Sequence, residues 1–77
     1  MDKHIFSRRL KELRIAKNLT QEQVSALIDV SRPTYSNYET GLREPSIQII
    51  NKIVDVFEIS VDWLFGRTDI MVPYPRK

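Results

Sequence analysis

The chain has 77 residues, no cysteine and a formal net charge of +2. That length makes one small domain, and without cysteine it has neither a disulfide framework nor a thiolate zinc site, so its stability must come from well-packed helices, an oligomeric partner or both. The charged N-terminus has no apolar stretch after it to make a secretory signal, and no run approaches the ~18–20 apolar residues of a membrane span, so a cytoplasmic protein is expected.

Apolar residues recur at helical spacing along most of the chain, and an all-α fold of five helices is predicted. In the first segment Phe6, Leu10 and Leu13 share a face, which predicts a helix over 5–17. Thr20 and Gln23 then form a capping-box pair, and Val24, Leu27 and Ile28 predict a helix over 21–28 with those three inward. Ser31 is a cap signal. Pro33 is tolerable in the first turn it opens, where backbone N–H groups have no helical partner. Gly41 is a stop signal, so the third helix is placed over 32–40. Pro45-Ser46 opens a helix over 47–57, whose inward face is Ile50, Ile53, Val54 and Phe57. Ser60 caps a short helix over 61–65, and Gly66 stops it. Residues 1–66 are read as the folded domain and 67–77 as an irregular C-terminal tail.

Only Asp29, Val30 and the cap Ser31 separate the second and third helices. So short a link makes them cross steeply, as a helix-turn-helix unit over 20–40 does, with its second helix suited to the DNA major groove. At about 100° per residue, Tyr35 and Tyr38 define the inward face of the third helix. Pro33, Ser36, Asn37 and Thr40 point away from it, with Arg32 on the leading flank. Arg32 can bond guanine N7 and O6, and Asn37 can bond adenine N6 and N7. Small Ser, Thr and Pro side chains let a helix sit deep. The helix N-terminus favours a phosphate, and Gln21 opens the second helix in the same way. Charge is uneven along the chain. Residues 1–19 hold six basic and two acidic side chains, 20–65 three basic and seven acidic, and the tail three basic and one acidic. A polyanion would approach the basic segments if they share a side; ordinary solvated charge accounts for the same pattern.

Four stretches together resemble the phage-repressor and Cro-like helix-turn-helix family, also called the xenobiotic-response-element type. They are Leu10-Lys11-Glu12-Leu13-Arg14, Leu19-Thr20-Gln21-Glu22-Gln23-Val24, the run from Val30 to Gly41, and the run from Ile59 to Gly66. The resemblance implies a lambda-repressor-like fold and binding to double-stranded DNA. It implies that Gln21 bonds a phosphate and braces the first side chain of the recognition helix. Arg32, Pro33, Ser36 and Asn37 match groove-facing positions, Thr34 a phosphate contact, and Arg43 a backbone or minor-groove contact. Arg14 and Glu39 match an internal ion pair. Ser25 stands where the family has a small apolar residue, usually Ala, so its hydroxyl needs a partner. Asp29 stands where the turn often has Gly, and Asp tolerates the left-handed conformation.

Trp63 and Leu64 are expected mainly in the core, with a partner surface including Phe65 as the alternative. Ile59 and Val61 are candidate dimer contacts or core. Met71, Val72 and Tyr74 could cover the core, dock on a partner or stay irregular. An enzyme is not expected: there is no Cys nucleophile, His4 is the lone histidine and is taken as a solvated terminal residue, and two glycines make no phosphate loop. No cofactor or metal is expected. The reading is a transcriptional regulator, a repressor acting as a homodimer on an inverted repeat. The alternative is an antitoxin or anti-regulator module that holds a protein partner, with the tail as its contact.

Overall fold

A computed structural model of the chain describes residues 3–73. Five helices follow one another: α1 (Lys3–Ala16), α2 (Gln21–Leu27), α3 (Arg32–Thr40), α4 (Ile47–Phe57) and α5 (Val61–Leu64). Among the described residues there is no strand. Each helix lies within two residues of its predicted bounds.

The ends are set by side chains. Thr20 and Gln23 close a reciprocal capping box, the Gln23 amide donating to Thr20 Oγ1 at 3.0 Å and the Thr20 amide to Gln23 Oε1 at 2.8 Å. Ser31, Ser46 and Ser60 each accept from the backbone amide three residues on. Every helix is followed by a left-handed residue: Asn18, Asp29, Gly41, Glu58 and Gly66, with φ between 55° and 81°. After Asp29 the Val30 amide reaches back to Ser25 O at 3.0 Å, closing a Schellman-type stop without glycine. Gly66 also lacks room, since a Cβ there would sit 2.7 Å from Ile5 Cγ2. Glu58 is the residue least suited to this conformation. Glu58→Gly is expected to raise stability by about 1 kcal/mol, measured by urea unfolding; a loss would mean that the Glu58 side chain stabilises more than its backbone costs.

All five helices and the α4–α5 link feed one core. It joins Phe6, Leu10 and Leu13 of α1 to Val24 and Ile28, Tyr35 and Tyr38, Ile53 and Phe57, then Ile59, Trp63 and Leu64. Phe65 stacks on Phe6 with centroids 5.3 Å apart. Leu27 departs from expectation and is 50% exposed. α2 and its C-cap bury Val24, Ser25 and Ile28, so the inward face is centred near Ile28, between Val24 and Ser25, and carries Leu27 out to the flank. Ser25 is buried, and its hydroxyl donates to Glu22 O at 2.8 Å.

The described part of the tail, residues 67–73, is irregular but tied down. The Arg9 guanidinium lies 4.9 Å from the Trp63 ring centroid, donates to Trp63 O, and reaches Thr68 O at 3.0 Å and Asp69 Oδ1 at 3.3 Å. The Ser60 amide donates to Met71 O at 2.7 Å. Ile70, Met71 and Val72 remain exposed, and Tyr74 lies outside the described residues.

Candidate nucleic-acid interface

The chain turns sharply at Asp29 and Val30, so α2 and α3 pack directly on each other while α1 also packs on α3. Lys52 of α4 reaches the turn and pairs with Asp29 at 3.2 Å. This leaves one side of α3 uncovered. Tyr35 and Tyr38 are buried beneath it, their rings edge to face at 6.4 Å. Arg32, Pro33 and Thr40 are exposed; Thr34, Ser36 and Asn37 are half-buried. The open face therefore holds the six predicted α3 residues, and Arg43 stands exposed in the loop just past Gly41. Neither Arg32 nor Arg43 is in an ion pair among the described residues. Their guanidinium groups are thus open to an anion or a base edge.

Two hydroxyls on this helix are partly committed. Thr34 Oγ1 accepts from Ser31 Oγ at 2.8 Å, which leaves its own O–H to give. Thr40 donates to Asn37 O at 3.2 Å, so it offers an acceptor and a methyl rather than a donor.

Behind the face, Glu39 anchors α3. Its side chain is 3% exposed, and that of Arg14 is 15% exposed. Arg14 Nε donates to Glu39 Oε2 at 2.7 Å and Nη2 to Oε1 at 3.2 Å, a two-pronged pair. Arg14 Nη1 also donates to Leu19 O at 3.0 Å, so the same guanidinium fixes the α1–α2 link. The Tyr35 hydroxyl donates to Glu39 Oε2. Burial alone would push the Glu39 carboxyl up, but donors from Arg14, Tyr35 and Gln21 together hold it below the usual carboxylate range. The hydrogen bond to Glu39 raises Arg14, and burial with the Glu39 bond pushes the Tyr35 phenol far above its ordinary value. At neutral pH the cluster is an ion pair with a neutral phenol attached.

Gln21 sits at the first position of α2, half-buried, and its Nε2 donates to Glu39 Oε1 at 3.2 Å. The sequence reading did not anticipate this bond. The Gln21–Glu39 separation of 18 residues carries no helical-spacing signal. Of the candidate dimer contacts, Ile59 goes into the core of its own chain, and Val61 is 43% exposed.

The arrangement is an uncharged polar helix face led by one arginine, held on a buried ion pair and flanked by a second arginine. This is the geometry of a helix-turn-helix recognition surface. A family model described as Helix-turn-helix matches residues 10–64, and the chain belongs to that family, of the phage-repressor and Cro-like type. It is 42% identical over 59 residues to the cryptic phage CTXphi transcriptional repressor RstR of Vibrio cholerae, covering 77% of this chain and 53% of that one. It is 37% identical over 59 residues to the HTH-type transcriptional regulator AnsR of Bacillus subtilis, covering 77% and 51%. The chain thus spans about half the length of the curated relatives it matches. The crystal structure of the restriction-modification controller protein C.AhdI from Aeromonas hydrophila superposes with a TM-score of 0.76 at 36% identity, covering 83% of this chain and 97% of that one.

Proposed function

We propose that the chain is a sequence-specific double-stranded DNA-binding transcriptional regulator, a repressor that acts as a homodimer on an inverted repeat in the cytoplasm. The observation that carries this reading is the open face of α3, with Arg32, Ser36 and Asn37 outward over two buried tyrosines. Arg32 reads a guanine and Asn37 an adenine, while Pro33 contributes shape or a methyl contact. Thr34, Gln21 and Arg43 hold phosphates and set the register. One such module makes few base contacts, so two copies on half-sites about one helical turn apart are needed for specificity. Exposed Val61 is the residue of α5 offered to that pairing.

Selection of bound duplexes from a random pool tests this directly. The expected product is an inverted repeat. Arg32→Ala then loses about 1–3 kcal/mol of operator binding and relaxes one base position in each half-site. Arg43→Ala weakens all sequences alike and lowers the slope of log affinity against log salt by about one. Recovery of no common sequence, with Arg32→Ala binding every duplex as the parent does, defeats the reading.

A further inference from the structure

The Glu39 carboxylate accepts four hydrogen bonds, two on each oxygen: Arg14 Nε at 2.7 Å and the Tyr35 hydroxyl on Oε2, Arg14 Nη2 at 3.2 Å and Gln21 Nε2 at 3.2 Å on Oε1. A carboxylate has about four lone-pair sites, so this one is saturated. The Arg14 bonds tie α1 to α3, and the Tyr35 bond lies within α3. The Gln21 bond has another consequence, because Gln21 is one of the side chains assigned above to a phosphate.

A glutamine amide has a donor end and an acceptor end. On an open surface it presents either, and only the NH2 end suits a phosphate, which accepts and cannot donate. Ionised Glu39 is likewise an acceptor alone, so it selects Nε2 and rejects Oε1. One N–H of that nitrogen is spent on Glu39, and the second remains on the same atom. The geometry points to Glu39 as a positioning residue for DNA contact: it fixes the orientation of the Gln21 amide so that the remaining N–H is presented to a backbone phosphate. The inference rests on the DNA-binding reading. It makes one buried carboxylate on the recognition helix set both the seat of that helix and the clamp at the start of α2.

A double-mutant cycle on operator affinity tests it. In the parent protein Gln21→Ala is expected to weaken binding ~tenfold, the scale of one lost charge-assisted hydrogen bond. In a Glu39→Gln background the amide is no longer fixed, and Gln21→Ala is expected to cost less than ~twofold more. Tyr35→Phe is the control. It removes a bond from Oε2 and weakens the fold but leaves the Oε1 contact, so Gln21→Ala should still cost ~tenfold there. The same Gln21→Ala cost in all three backgrounds overturns the positioning role while the DNA reading stands. Failure of the parent to select any sequence removes both. Side-chain amide exchange in the unmodified protein gives a readout independent of variant folding. One Gln21 Nε2 proton should exchange more slowly than those of exposed Gln48. Equal exchange refutes the inference.

Discussion

Replacing Glu39 by alanine is expected to cost about 3–5 kcal/mol of folding stability, because it leaves the mostly buried Arg14 guanidinium without its counter-ion. The Tyr35 hydroxyl and the Gln21 amide lose their acceptor in the same change. For a domain of this size that corresponds to a fall of at least about 12 °C in melting temperature, read by circular dichroism. The cost is that of breaking the cluster. An apolar replacement of Arg14, Glu39 and Tyr35 together would cost far less, because no charge would be left stranded. A measured loss below about 1 kcal/mol for Glu39→Ala would place the pair in the class of solvated surface ion pairs.

The same cluster predicts a pH dependence with a definite sign. The folded state holds Glu39 below its ordinary value of 4.5. Its contribution is therefore fully present above that value and is lost as pH falls from it through the lower folded value. Tyr35 is shifted the other way, above its ordinary 10.0. Its contribution is present below that pH and declines as pH rises, since the unfolded phenol ionises first. Urea midpoints against pH should thus fall on both sides. Glu39→Gln should flatten the acid limb, and Tyr35→Phe the alkaline one. An acid limb unchanged in Glu39→Gln would assign acid sensitivity to other carboxylates.

What was legible in the sequence was mainly local. Thr20 with Gln23, and Ser31, Ser46 and Ser60, act on amides within three residues, so the helix starts could be read from the chain. The inward turn of Tyr35 and Tyr38 followed from helical spacing on a nine-residue segment. Leu27 was misread because α2 is only seven residues long, too short for its apolar spacing alone to fix which side faces in. The burial of a polar residue, Ser25, marks that side, and apolar spacing carries no signal for it. The Arg14–Glu39 pair came through the family resemblance, since no spacing rule links residues 25 apart. Nothing pointed to Arg9, whose partners lie 54 to 60 residues away, or to Gln21 on Glu39. Polar contacts between distant helices depend on the finished packing.

Trp63 concentrates that kind of contact, and Trp63→Ala is expected to cost about 3–5 kcal/mol. The indole is 7% exposed in the core, and α5 is a helix of four residues that cannot persist without its burial. It is also the platform under Arg9, which in turn holds Thr68 and Asp69. Arg9→Ala separates the two roles. It leaves the indole in the core and removes the tie to the tail, at about 1–2 kcal/mol for partly exposed charge-assisted hydrogen bonds. The Ser60 amide, bonded to Met71 O, reports the difference by hydrogen exchange. Its protection should fall in Arg9→Ala by more than the global loss of about 1–2 kcal/mol explains, and fall only in step with global stability in Trp63→Ala. If Arg9→Ala leaves the Ser60 amide fully protected, the tail is held by its own apolar residues, and the segment from Thr68 to Met71 docks independently of α1.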